Sequence, residues 1–331
     1  VRTAELLDPA DAVDLLEDRP EWTTSVFTTP AWWAAALGEL GRGRDVRIAA
    51  LRDGSRLIGI VGVVVDDERR LARLVGDPVS DRTGPLHAGT DTPLVAVRFA
   101  DVLDQLVPDH APFRTDGLDP VLGHADPSGS IVAVPCPVIR LDRSWEDYLA
   151  GPAARRRRRI AAAAARLLEQ PHVEVVEHGA PGGIDAALDE LGRLHELRFG
   201  PDHGLFRGRL GAFLRRAVGG LSRTGDATIR ILHLHGTAVA AILLLRHGRS
   251  VSFYQSGWDP SCSGLSVGRA LLADTIREEF VRSQRPDGPA TFELLRGDEA
   301  YKSYWADHDD VVVELTRPAR GGRSWPDGFT A

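Results

Sequence analysis

The chain holds a single lysine, Lys302, among its 40 Lys and Arg residues. Where arginine stands nearly everywhere else, a surviving lysine could mark a place that needs a compact ammonium rather than a planar guanidinium. Beside a reacting carbonyl, that ammonium would bind the oxygen as negative charge develops; a surface lysine paired with Asp298 or Glu299 is the plain alternative. Tyr301 precedes it. Tyr254 lies in a strand-like run where Val251 and Phe253 should face one way and Ser252, Tyr254 and Ser256 the other. Its phenol could act as a general acid, and Glu293, central in the next strand, could take a proton from an attacking amine through water. A packed tyrosine and a solvent-facing glutamate fit the same letters. His195 and Arg198 are three apart and share a helix face, so together they could orient a carboxylate or phosphate, or simply complement the helix dipole.

A run of small and polar residues, Ser263, Gly264, Leu265, Ser266, Val267, Gly268 and Arg269, leads into a helix. Free amides and the helix dipole bind anions there without a side chain, the glycines permit close backbone approach, and Arg269 could pair with a phosphate. Ser266 as an N-cap between turn glycines is the structural alternative. Arg155–Arg159 suggests phosphates, but five consecutive helical positions spread around the whole circumference, which fits a solvated helix as well. His233, His235 and His247 lack metal-ligand spacing, and no metal is expected.

The elements that must position these residues follow from pattern. The 331 residues, 43% hydrophobic and 26% charged, suit two domains of about 150 residues each. A net charge of −7 argues weakly against a dedicated nucleic-acid binder, and no DNA partner is expected. The longest apolar runs, Leu57–Val65 and Thr237–Leu245, fall short of the roughly 18 residues of a membrane span, and the acidic start from Asp8 to Asp18 does not read as a signal peptide. Cys136 and Cys262 read as free thiols in a reducing cytoplasm.

The first half should hold a strand at Thr3–Leu7, helices opening at Asp8-Pro9 and Thr29-Pro30, strands at Asp45–Leu51, Arg56–Val65 and Leu71–Val75, and a long loop at Gly76–Gly89 that contains Asp81. A helix near Pro93–Leu106 and strands near Phe113–Leu118 and Ile131–Leu141 complete it. Trp145–Gln170 should be helical, broken at Gly151-Pro152. Beyond it, strand His172–Glu177, helices Ile184–Phe199 and Arg209–Ser222, and a three-strand meander (Ala227–His235, Thr237–Arg246, Arg249–Ser256) follow. Helix Ser266–Arg282, strand Ala290–Leu295, a short helix Asp298–Trp305 and strand Val311–Leu315 close the chain. The first half shows a worn version of this order. The expected division is 1–144, a basic connecting helix 145–170, and 171–331.

The order β-α-α-β-β-β-α-β-α-β resembles the GCN5-related N-acetyltransferase (GNAT) fold. Val26–Trp32, Ser80-Asp81 with Gly84-Pro85-Leu86, Leu194-His195 with Arg198, Ala238–Ala241, Tyr254–Pro260, Ser266–Gly268 and Gly297–Lys302 together resemble the bacterial acetyltransferase-like family associated with cellulose biosynthesis (CelD/BcsL type). Fem-type aminoacyl-tRNA-dependent transferases share the tandem architecture. The resemblance implies an α+β protein of two GNAT-like domains, each a mixed, mostly antiparallel sheet flanked by helices. It implies acyl transfer from acetyl-CoA or another acyl-CoA to an amine of a small molecule or sugar, with the second domain catalytic. The donor would lie in a V-shaped opening between Arg249–Ser256 and Ala290–Leu295, its pyrophosphate at Ser263–Arg269. Lys302 would contact the reacting groups, and Asp81, of the Ser-Asp string, could reach the acceptor. The loop departs from the family's Gln/Arg-x-x-Gly-x-Gly/Ala pattern, which leaves a charged tRNA open as the alternative donor and a ligand-binding relative without activity as another.

Overall fold

The computed structural model describes residues 5–151 and 154–320; Thr3 and Ala4 of the expected first strand and Pro152 of the expected helix break lie outside them. The chain forms two compact units, Val1–Pro135 with Val311–Ala331, and Cys136–Asp310. Each is a mixed, mostly antiparallel sheet flanked by helices. The division therefore differs from cuts at 144 and 171. The basic helix lies wholly inside the second unit, and the chain's final strand serves the first.

In the first unit, β1 (Glu5–Leu7), β2 (Asp45–Asp53), β3 (Arg56–Asp66) and β4 (Leu71–Leu74) pair in antiparallel succession. Then β5 (Phe113–Leu118) joins β4 in parallel. Helix α1 (Pro9–Glu17) starts where Asp8 accepts from the amide of Ala10, and α2 (Pro30–Ala35) where Thr29 accepts from that of Trp32. Both caps are followed by proline, whose missing N–H costs nothing at a first helical position. Two strings of the sequence meet here: the Trp32 indole N–H donates to Ser80 Oγ at 2.8 Å, and Ser80 donates to Gly76 O. Helix α3 (Thr92–Leu106) packs Val95, Phe99 and Leu103 onto this sheet, and the short α4 (Pro120–His124), which sequence patterning does not reveal, adds Leu122. The last strand supplies Val313 and Leu315 to the same core.

The chain passes into the second unit along β6 (Ser130–Arg140). Helices α5 (Trp145–Ala150) and α6 (Arg155–Leu168) follow, then β7 (Val173–His178), α7 (Pro181–Phe199) and α8 (Gly208–Ser222). The meander β8 (Ala227–Leu234), β9 (Thr237–His247) and β10 (Ser250–Trp258) is antiparallel throughout. Its first turn, His235-Gly236, has φ of 52° and 77°, the left-handed pair that a two-residue hairpin loop demands. Helix α9 (Val267–Ser283) follows, then β11 (Thr291–Glu293), parallel to β10 and antiparallel to β6, and β12 (His308–Arg317) returns the chain to the first unit. Helix α9 is buried nearly all round, with Val267, Leu271, Ile276 and Phe280 in one core with Leu244, Val251, Phe253 and Phe292. Each large side chain so removed from water contributes about 1.5–3 kcal/mol.

The arginine run seats α6 rather than leaving it wholly solvated. Arg157 lies over the Tyr148 ring at 4.3 Å and 3.8 Å from Asp307; Arg156 covers Tyr304 at 3.5 Å; Arg158 donates to Leu149 O at 2.7 Å. The alanines beyond it then bring Ala164 into the core beside α9.

Helix α7 crosses β10 at Gly257, where a Cβ would stand 2.3 Å from the backbone nitrogen of His195 and 2.5 Å from the carbonyl carbon of Leu194. Backbone cannot yield as a side chain can, so Gly257→Ala should lower stability by about 1–3 kcal/mol in urea unfolding, as overpacking does. An unchanged midpoint would mean that α7 is free to lift from the strand.

Candidate functional site

The parallel ladder between β10 and β11 is short. It runs from Ser250↔Thr291 to Ser252↔Glu293 and stops, while β10 continues to Trp258. Beyond Glu293, Leu294 donates its amide to Pro137 O, so the chain after β11 keeps company with β6. At the same place β10 carries an extra residue. Phe253 faces Leu244 and Gln255 faces Leu243, which leaves Tyr254 as a bulge. A bulge shifts the side-chain alternation by one. Ser256 and Trp258, opposite Ile242 and Ala240, therefore share the face of Phe253, and not that of Ser252 as unbroken alternation requires.

A cavity of about 470 Å³ opens on this stretch. Its walls include Ala240–Ile242 of β9, Phe253 and Ser256–Trp258 of β10, Leu271 and Leu272 of α9, and Arg198 and Tyr301. Of the run before α9, Ser263, Ser266, Gly268 and Arg269 line it; Gly264 and Leu265 are exposed away from it, and Val267 is buried in the core. Residues 260–265 form a 3-10 helix, and Ser266 turns the chain in the left-handed region (φ 53°, ψ 39°) without capping α9 through its hydroxyl. A side-chain N-cap is thus replaced by a strained backbone corner. The amides of Arg269 and Ala270 both close onto Ser266 O, whereas those of Val267 and Gly268 belong to the first turn, which lacks helical acceptors. Gly268 lets this turn press on Trp258: a Cβ there would be 3.0 Å from the indole. Arg269 is exposed and has no carboxylate partner among the described residues.

Arg198 and Tyr301 bring charge and a proton to the cavity wall. Arg198 is half-buried, donates Nη1 to Ser256 Oγ at 3.0 Å and lies over the Phe199 ring at 4.3 Å. Burial draws its guanidinium below the ordinary arginine range, against the pull of Tyr301 and Glu299. Burial, helped by the Glu299 carboxylate and opposed by Arg198, pushes the Tyr301 phenol up to about 12, so it stays protonated at neutral pH.

The remaining expected site residues do not line this cavity. Lys302 is buried, and its ammonium donates to the carbonyls of Leu295 and Arg296 and meets Glu299 Oε2 at 2.8 Å. Three protons meet three acceptors, which leaves none for a reacting oxygen. The lysine thereby gathers a loop whose backbone is unusual at Leu295 (φ 59°) and Gly297 (φ 119°), and a Cβ on Gly297 would lie 3.1 Å from its Nζ. The expected helix Asp298–Trp305 contracts to one 3-10 turn, Lys302–Tyr304, with Tyr301 immediately before it. Tyr254 is buried at the bulge, and Glu293 is half-buried at the end of the ladder. His195 is buried among Phe199, His203 and Phe206, with Nδ1 unpartnered among the described residues. Burial first, then His203 and Arg198, lower it to about 4. Asp81 belongs to the first unit, where its carbonyl abuts Gly117. Ser256 and Trp258 carry no site signal in the sequence; the bulge places them at the cavity.

Residues 154–303 match the family model of the acetyltransferase (GNAT) domain. The matched stretch lies within the second unit. No curated protein sequence matches the chain. Among solved structures, it is similar to the C-terminal domain of a putative lysylphosphatidylglycerol synthetase from Agrobacterium fabrum (11% identity, TM-score 0.59, 95% of this chain and 93% of that one). It is also similar to FemX (10%, 0.59, 96% and 98%) and to a tandem GNAT protein from the clavulanic acid biosynthesis pathway (14%, 0.52, 97% and 100%). At such identities the likeness is one of fold, and the fold is the tandem GNAT-like α+β arrangement.

Two outcomes follow from the buried Lys302 and His195. Lys302→Met should cost about 1–3 kcal/mol in urea unfolding, because two buried carbonyls lose their donor, and Lys302→Arg should not restore it; full stability of either variant would refute the clamp. His195 takes up a proton near pH 6.5 when unfolded and only near 4 when folded, so its contribution is complete above 6.5 and is lost as pH falls toward 4. His195→Gln should therefore show a smaller fall in melting temperature than the wild type between about pH 7 and about pH 4.5.

Proposed function

We propose that the second unit moves an acyl group from a CoA thioester, acetyl-CoA or a longer relative, to an amine of a small molecule or sugar, as the CelD/BcsL-type resemblance implies. The observation that carries this reading is the cavity where the β10–β11 ladder ends, closed at one end by the first turn of α9. Ser263, Ser266, Gly268 and Arg269 are the residues that would hold the donor's phosphates: two amides without helical acceptors, an approach opened by glycine, and an unpaired guanidinium. The apolar wall of Ala240, Ala241, Ile242 and Phe253 would take the pantetheine and acyl portion. The thioester supplies the activated carbonyl.

In this reading Tyr301, a protonated phenol at neutral pH, donates a hydrogen bond inside the cavity. Tyr254 and Glu293 remain the candidates for proton donor and acceptor flanking the end of the ladder. Lys302 acts through the loop, as a positioning residue. A charged tRNA is the second donor to consider: Arg155 and Arg159 are exposed on α6, whereas the three arginines between them are engaged within the second unit.

Titration calorimetry of the full chain with acetyl-CoA tests the donor. Heat of binding and a raised melting temperature are expected, and Arg269→Glu should weaken binding by about tenfold or more, the scale of a charge-assisted contact. Absence of both heat and melting shift, with charged tRNA retained on a filter, would replace CoA by the tRNA donor. Once an acceptor is in hand, Tyr301→Phe should lower kcat by about tenfold or more with little change in acetyl-CoA affinity.

A further inference from the structure

We infer that the acceptor is an amine that also carries a carboxylate, and that Arg198 receives that carboxylate at the cavity wall. This deepens the proposed acyl transfer and rests on it.

The second unit does not ordinarily leave a shielded guanidinium without an anion. Arg230 meets Asp274 at 2.7 Å, Arg246 meets Glu279 at 2.6 Å, and Arg282 meets both Glu177 and Glu279. Desolvating a cation is costly, and a carboxylate in hydrogen-bonding contact offsets that cost. Arg198 breaks the pattern. Its one hydrogen bond is to the neutral Ser256 hydroxyl, and it has no carboxylate within ion-pair distance among the described residues. Glu299, which acts on it electrostatically, is held by Lys302. The guanidinium is nevertheless kept in place: Phe199 lies under it and Ser256 fixes one nitrogen, so its remaining donors stay available beside the cavity. The fork of an arginine suits the two oxygens of a carboxylate.

The position within the cavity distinguishes this anion from the donor's phosphates. The phosphate candidates lie on the run before α9 and on its first turn, whereas Arg198 comes from the end of α7 and touches the residue, Ser256, that the bulge rotates into the cavity. Tyr301 lines the same cavity and interacts electrostatically with Arg198. A carboxylate on Arg198 would therefore tether an acceptor on the side where the phenol stands. The amine must reach the thioester as the free base; transfer then forms one amide C–N bond, breaks the thioester C–S bond, and passes the amine's proton to the departing thiolate.

The test uses the full chain with a panel of α-amino acids and the matching carboxamides, each measured with and without acetyl-CoA by melting temperature and calorimetry. At least one amino acid should bind about tenfold or more tightly than its carboxamide, and thiol release from acetyl-CoA should show the same preference. Arg198→Gln should reduce that ratio to near one while acetyl-CoA still binds; Arg198→Lys should keep part of it, and Ser256→Ala should weaken it. Equal binding of acids and carboxamides, or no binding of any acid, overturns the inference. So does a loss of acetyl-CoA binding in Arg198→Gln with the melting temperature unchanged, which would assign the guanidinium to the donor. Failure of acetyl-CoA to bind the wild type would instead strike the proposed transfer itself.

Discussion

The site depends on a short ladder. Two parallel strands that share register only from Ser250 to Ser252 on one side and Thr291 to Glu293 on the other must then part. Backbone groups cannot be left buried without partners, so each strand continues with another neighbour: β10 with β9, and the chain after β11 with β6. The cavity lies on the β10 side of this separation, bordered by side chains of β9, β10 and α9 with Arg198 and Tyr301. The bulge at Tyr254 belongs to the same event, because an extra residue in β10 at the point of separation turns Ser256 and Trp258 toward the space that opens. Topology and side-chain supply are thus set by one local irregularity.

Holding an opening requires something rigid on its far side. The loop after β11 has little regular structure, and two of its residues adopt positive φ. It is gathered instead around one ammonium, which donates to carbonyl oxygens in several directions. This explains why the sole lysine is buried and why its neighbour Tyr301, rather than Lys302 itself, reaches the cavity. The arginines play the opposite part. Flat and wide, Arg156, Arg157 and Arg198 cover the rings of Tyr304, Tyr148 and Phe199, and of the three Arg198 lines the cavity.

Element order was readable, the short α4 apart, because most strands and helices carry their own signal: Asp8-Pro9 and Thr29-Pro30 as caps, His235-Gly236 as a hairpin, apolar runs of strand length. Long-range consequences were less readable. Strict alternation along β10 puts Ser256 with Tyr254, and nothing in the letters announces the extra residue between Phe253 and Gln255. A lone lysine signals a special place, yet its burial against carbonyls of its own loop depends on where the backbone of Leu295 and Arg296 points. His195 and Arg198 share a helix face by spacing, but one turn of displacement puts the first inside a cage of rings and the second at the cavity. The final strand read as the close of the second half because it follows it in sequence; Val313 and Leu315 find their apolar partners on β5 and α3 instead.

That last assignment has a consequence for the order in which the molecule can be made. The second unit is one unbroken stretch, Cys136–Asp310, and every residue of its core has been synthesised before Val311 is added. The first unit, begun earlier, waits for its closing strand until the ribosome has passed Arg317. During translation β5 would therefore stand as a bare edge with apolar positions uncovered until the last strand is made. The unit begun first is thus the one whose core is completed last in synthesis, and its uncovered apolar edge is what a nascent-chain binding chaperone would meet meanwhile.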